Sequence, residues 1–471
     1  MGFHKENAMS TYKFYTFLLA VLIISAAPVF AFPTPPKGYM IDVVAEYDTA
    51  DLGIPYELAF DPDGVIYVNQ WNYNEKDNSS ITRIDSKGVK TRWLDNNKIK
   101  NPRSIFWAGG TSFGNNFCVV ESGQRRVVKL DRSGKVTPLT GSIYNGPSFM
   151  DIDRNGSFGG DIFLASRGTD AIHRVKPDGS FSLFGKWPNL TSGGVIEVTI
   201  SPTKRYNGNI FAVLDDTKID EHDGIYQIDG DATTIRFAES LYYVYDAKFD
   251  IYGSMFNNDL FAIALKKGVD GMHLWRVDED GNAKPIMRVG WGVERQIAFG
   301  PDGAMYIARY TQEKTKILRF AKIPPLSIDI KPGNCFNELN TNDKGTFSVA
   351  IVGTGKFDIT KIDIATIKLQ GVSPVRSSYA DVSSPDTKDH NCRRTDGIKD
   401  LTLKFDQKQI LAAVRKMKSF RNNTQIPLTL RCKLMNNESE LKGKDVLRIK
   451  KPAAQKKRKR TVNKQKHEKQ G

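Results

Sequence analysis

Apolar residues in this chain recur in short alternating runs bounded by turn residues, the period of strands and not of helices. One line appears six times: Ile81-Thr-Arg-Ile-Asp85, Val127-Val-Lys-Leu-Asp131, Ile172-His-Arg-Val-Lys176, Ile225-Tyr-Gln-Ile-Asp229, Leu274-Trp-Arg-Val-Asp278 and Ile317-Leu-Arg-Phe-Ala321. Their central polar residues, Arg83, Lys129, Arg174, Gln227, Arg276 and Arg319, are 46, 45, 53, 49 and 43 positions apart. Each copy predicts a strand with one buried and one wetter face. A turn glycine follows most of them, as at Gly88, Gly134, Gly179 and Gly281.

A second strand precedes each of these lines, from Val65-Ile-Tyr-Val68 in the first unit to Met305-Tyr-Ile-Ala308 in the last. Ahead of it stands a short apolar strand around Phe60, Phe106, Ile152, Ile200, Phe249 or Phe299. A weaker fourth strand follows the glycine turn, as in Thr91-Arg-Trp-Leu94. Four antiparallel strands at a period of about 47 residues predict an all-β fold, a six-bladed β-propeller. The sixth unit reaches Pro324-Pro325 one strand short. Met40–Tyr47 is expected to supply that strand and close the ring, removing the open sheet edges. Pro301-Asp-Gly303 has the look of a calcium loop, but a near-copy at Pro62-Asp-Gly64 marks it as a hairpin turn.

After Leu326 the period is lost while alternation continues to about Ile449, which predicts a β-sandwich-like second domain with one short helix, Gln407 to Lys418. The propeller is expected over 38–322 and the sandwich over 326–449. At the other end, Lys13, an apolar run from Phe14 to Phe30 and the small residue Ala31 form a signal peptide cleaved after Ala31. The alternative is an uncleaved membrane anchor. The chain is thus expected to be exported, extracellular or on the cell surface, and monomeric.

The formal net charge of +15 invites a nucleic-acid reading, but from Lys450 to Gly471 there are ten Lys or Arg against one Glu. The body is only mildly basic, so a nucleic-acid partner is not expected. The tail 450–471 reads as a disordered arm attracted to an anionic surface. Of four cysteines, Cys118 sits in an apolar strand and reads as a buried thiol. Cys335 with Cys392 is the disulfide expected among the other three in an oxidising compartment.

Residues from about 38 to 322 resemble the six-bladed propellers of the NHL-repeat, strictosidine-synthase-like, gluconolactonase-like and soluble quinoprotein sugar dehydrogenase-like proteins. In such a ring the innermost strands line a central channel. Aligning the units on their first strands puts Glu57, Glu197, Asp246 and Gln296 in equivalent places, with Arg103 or Ser104 from the second unit and Phe149 from the third. Carboxylates converging on one axis repel unless a cation, a nearby Arg or raised pKa values relieve them. Calcium is the natural candidate, held by Glu57, Glu197 and Asp246. The resemblance implies a metal at the channel mouth of gluconolactonase-like members, with Glu57 and Asp246 at the acidic positions and no Asn at the others. Glu221-His222-Asp223-Gly224 is similar to a segment of the quinoprotein family whose continuation is missing here.

Ile328-Asp-Ile-Lys-Pro-Gly333, with Asp396-Gly-Ile-Lys-Asp-Leu401 further on, resembles a module of microbial exported proteins. Many copies carry a fuller calcium loop; here Asp396 and Asp400 are the ligands that remain. Two functional readings follow. The first is an exported propeller binding an extracellular ligand, whether surface, carbohydrate or protein. The second is a channel-mouth enzyme, either a metal-dependent lactonase or hydrolase or a quinone-dependent sugar oxidoreductase.

Overall fold

The structure, a computed structural model, describes residues 32–450 apart from 72–78, 96, 144–145, 187–192, 217–221, 291–293, 335, 343–344, 356, 386–394, 418–423 and 436–438. The signal segment, the pair Cys335 and Cys392, and the tail after Lys450 lie outside the described residues. Two compact units are present: Met40–Ala321, and the residues from Lys322 onward together with Lys37–Tyr39.

Among the described residues the first unit holds six four-stranded sheets. In five of them the order of strands across the sheet is their order in the chain. In the sixth, Tyr39–Asp48 pairs outside Lys314–Lys322, so the first strand of the chain completes the last sheet. Each sheet starts with an inner strand: Ile54–Phe60, Pro102–Trp107, Pro147–Ile152, Gly193–Ile200, Leu241–Phe249 and Glu294–Phe299. Each inner strand touches the next, and the last touches the first. That is the arrangement of a propeller.

Local chemistry explains the repeat. After the third strand of four sheets, an Asp side chain turns the backbone. The Oδ1 atoms of Asp85, Asp131, Asp229 and Asp278 each accept from the amides two and four residues on. At Pro301-Asp-Gly303, the Gly303 amide donates to the Gly300 carbonyl at 2.8 Å and Gly303 has φ 77°, a conformation that glycine adopts without strain. In three sheets the recurring Arg of the third strand pairs with an Asp of its own sheet: Arg174 with Asp161 at 2.6 Å, Arg276 with Asp259, and Arg319 with Asp302 at 2.7 Å.

The apolar core lies between sheets. Tyr67 and Ile81 of the first pack on Phe117 and Val119 of the second. Phe211 and Val213 of the fourth pack on Phe249 and Trp275 of the fifth. Ring closure uses the same device: Ala45 of the closing strand joins Ala304 and Ile317 of its own sheet against Leu58 and Ile66 of the first. A single blade has no core of its own, so its stability depends on both neighbours.

The second unit is a pair of four-stranded sheets with a helix, Gln407–Arg415. Along Gln425–Leu434 buried and exposed side chains alternate, as a strand covered on one face requires. The helix is capped by Asp406, whose Oδ1 accepts from the Gln409 amide at 2.9 Å, and it buries Ile410, Leu411 and Val414. Cys118 and Cys432 are free and buried, and burial pushes both thiols up to about 12.

The closing strand generates a test. Met40 and Tyr47 are its buried large side chains, 5% exposed each. Replacing both by Ala is expected to cost about 4 kcal/mol or more, at ~2–5 kcal/mol for each large-to-small change. Urea unfolding of the parent and variant checks this; equal midpoints would show that the strand does not hold the ring.

Candidate functional site

All six inner strands are broken at the same height by a register shift against their neighbours: at Pro55/Glu57, Pro102/Ile105, Pro147/Met150, Val195/Glu197, Tyr242/Asp246 and Glu294/Gln296. A bulge bends a strand and re-aims its side chains. Glu57, Glu197, Asp246 and Gln296 therefore stand in equivalent places, directly after the shift. In the second and third blades Ser104 and Phe149 hold the corresponding place, three residues before the last paired residue of the strand and inside the register shift, and Arg103 lies one residue before it.

Polar side chains of these strands fasten five of the blades to the next. Glu57 Oε2 accepts from the Ile105 amide at 2.6 Å, Ser104 Oγ from the Met150 amide at 3.2 Å, Asp151 Oδ2 from the Ile200 amide at 2.9 Å, and Asp246 Oδ2 from the Ile297 amide at 2.6 Å. Between the fourth and fifth blades the link is ionic: Lys248 Nζ donates to Glu197 Oε1 at 2.8 Å. The same ammonium reaches Glu57 Oε1 of the first blade at 2.7 Å, crossing the channel. At the sixth position Gln296 Oε1 is buried without a hydrogen-bond partner among the described residues.

Lys248 was not foreseen from the sequence. It lies two residues after Asp246 on one strand, and side chains two apart share a face, so the signal was available. Its ammonium stands against Glu57 and Glu197 in the role that the sequence reading gave to calcium. The donor set does not fit a divalent ion: Glu57 is engaged through both oxygens, Glu197 through one and Asp246 through one, and a cation of the chain itself stands among them. Among the described residues, no group of three or more His, Cys, Asp or Glu side chains is arranged to hold a metal. At the second expected calcium site the carboxylates bond to backbone amides. Asp400 Oδ1 accepts from the Gly353 amide, and its Oδ2 from the amides of Val382 and Ser383, so its oxygens are spent on backbone. Asp396 Oδ1 accepts from the Ile398 amide within its own turn.

The ion pairs divide the channel lining into two cavities. One, of about 250 Å³, lies at the C-terminal ends of the inner strands, where Glu57 and Lys248 meet Phe60, Trp107, Arg154 and Tyr252. The other, of about 290 Å³, lies at the N-terminal ends and is walled by Tyr56, Arg103, Phe149, Glu197, Tyr245 and Gln296. Of the residues singled out in the sequence, Arg103, Glu197 and Gln296 thus share one cavity, Glu57 faces the other, and Asp246 lines neither. His222 lines neither; its carbonyl accepts from the Tyr226 hydroxyl at 3.1 Å. His173 contacts Ser166 Oγ, and burial lowers its pKa.

The electrostatics follow from counting. One ammonium faces Glu57, Glu197 and Asp246, and it cannot neutralise all three. Burial therefore raises the Glu197 carboxyl well above the usual range and Asp246 to about 7, the nearby carboxylates adding to the shift and Lys248 opposing it. Burial alone would lower Lys248, but the surrounding carboxylates outweigh it and hold its pKa well above the ordinary lysine value.

Two outcomes are expected. Lys248→Met strands buried carboxylates and should destabilise the protein by roughly 3–5 kcal/mol at neutral pH, and by less at pH 5, where those carboxyls take up protons. For Asp246, the folded pKa lies above the unfolded one, so its contribution is complete below about pH 4 and is lost as pH rises through about 7. The melting temperature of Asp246→Asn should gain on that of the parent between pH 4 and 8; a difference independent of pH would refute the shift.

No family model matches this chain, and no curated protein does. Among solved structures it is similar to a gluconolactonase from Xanthomonas campestris, at 11% identity and a TM-score of 0.43, over 63% of this chain and 99% of that one. It is also similar to virginiamycin B lyase from Staphylococcus aureus, at 15% identity and a TM-score of 0.41, over 60% of this chain and 100% of that one. A third is an auxiliary nutrient binding protein from Bacteroides thetaiotaomicron, at 12% identity and a TM-score of 0.43, over 60% of this chain and 76% of that one. None of them lends a residue's role to this chain.

Proposed function

We propose that this chain is an exported ligand-binding protein. Its six-bladed propeller holds an extracellular ligand at a channel mouth, its sandwich spaces or anchors the propeller, and its basic tail clings to an anionic surface. One observation carries the reading: Lys248, tied to Glu57 and Glu197, stands across the channel and leaves a cavity on either side of it. Both cavities mix aromatic walls with a few polar groups, the composition of small-ligand sites. Calcium is not needed at the centre in this reading, because Lys248 supplies the positive charge.

Catalysis at the mouth is the second reading, and a specific observation favours it. Glu197 lies in the wall of one cavity with its carboxyl pKa raised, as a general acid requires. Hydrolysis or oxidation of sugar lactones and aldoses by the purified protein, lost in Glu197→Gln, would support it.

The binding reading is tested on a glycan array with the mature protein, followed by calorimetry on any compound that scores. We expect a saturable ligand whose binding weakens at least about tenfold when Trp107 or Tyr56 is replaced by Ala, since aromatic anchors dominate such sites. Failure of every glycan and cell-surface polymer to bind would remove the carbohydrate and surface versions of this reading.

A further inference from the structure

The cavity at the N-terminal ends of the inner strands contains an arginine without an ion-pair partner among the described residues. Arg103 is half-buried there. Its guanidinium stands 5.9 Å from the centroid of the Tyr56 ring, and its Nε is buried without a hydrogen-bond partner. Among the described residues, no carboxylate pairs with it. The other arginine of that wall is matched, since Arg167 Nη2 bonds Asp215 Oδ2 at 2.9 Å. Glu197, the remaining acidic wall residue, is bonded to Lys248. Each acidic side chain of this wall thus has a basic partner other than Arg103, and Arg103 is the charged wall residue without an ion-pair partner among the described residues.

Gln296 gives a second and independent observation. It is 8% exposed, it lines the same cavity, and its Oε1 is a buried acceptor with no donor. A buried acceptor left unmatched costs about 1–3 kcal/mol. An O–H or N–H group of a bound molecule would satisfy it.

We propose that this cavity binds a hydroxycarboxylate. The carboxylate pairs with Arg103, whose planar fork of donors suits two carboxylate oxygens. A neighbouring hydroxyl donates to Gln296 Oε1, and the apolar face of the molecule rests on Tyr56, Phe149 and Tyr245. At about 290 Å³ the space is at the lower end for ligand pockets and suits a compound of one ring. The assignment deepens the ligand-binding reading and rests on it. The same chemistry is offered by a free sugar acid and by the uronate end of an acidic polysaccharide.

The test is calorimetry on the mature protein with galacturonate, a galacturonate oligomer, galactose and acetate. Both uronates are expected to bind and galactose to be much weaker, since it lacks the carboxylate. A higher affinity for the oligomer than for the monosaccharide assigns the site to polysaccharide ends; equal affinities assign it to free sugar acids. Arg103→Gln should weaken uronate binding about 30-fold, and Arg103→Lys, which keeps the charge and loses the fork, by less. Gln296→Leu should weaken uronate and leave acetate unchanged. Circular dichroism confirms that each variant is folded, and the lysine variant carries the test if the glutamine variant is not.

The assignment falls if galactose binds as well as galacturonate, if neither uronate binds, or if Arg103→Gln leaves uronate affinity unchanged. In those cases a neutral ligand found on the array leaves the ligand-binding reading standing. An array without any ligand removes the carbohydrate version of that reading too.

Discussion

Lys248 and the carboxylates around it set the geometry of the propeller's centre. Six inner strands converge on one axis, and each carries a bulge at the same height, so whatever follows the bulge is pressed toward its counterparts. Three of those residues are acidic. Packed together in a buried place they would drive the strands apart, and an ammonium reaching from the fifth blade to the fourth and first holds them. The cost is a pair of carboxyls that keep their protons far above the usual pH.

Around that centre, the blade-to-blade links share one design. A side chain of one inner strand accepts from the backbone of the next at four junctions, and an ion pair serves at a fifth. These bonds give partners to backbone amides of the next inner strand, while the apolar clusters between sheets supply the burial. A blade cannot be removed without opening two such seams. The sixth junction differs: Gln296 has a buried oxygen with no donor, and it borders the cavity that also holds the unmatched Arg103. Two of the unmatched polar groups among the described residues border this one cavity.

The second unit shows how a loop can look like a metal site and be a fastening. Asp400 spends both oxygens on three amides of neighbouring segments, work that a bound ion does in fuller loops. Sequence spacing identifies oxygen donors. It does not say whether an ion or a backbone amide will be the acceptor's partner.

Much of the architecture was legible in the chain alone. Strand alternation, the period near 47 and the early strand Met40–Tyr47 required six four-stranded units and a closing pairing, because side-chain period and turn chemistry are local properties. The convergence of Glu57, Glu197, Asp246 and Gln296 was also readable, since it follows from equivalent positions in a repeat. What relieves their charge was not. Lys248 and Glu57 are 191 positions apart, and Asp151, Ser104 and Arg103 took their places from bulges that shift the register by one residue or more. Pairing across a channel depends on distance and burial in three dimensions, so only the tertiary structure could decide that Lys248 stands among the carboxylates and that Arg103 has no carboxylate partner among the described residues.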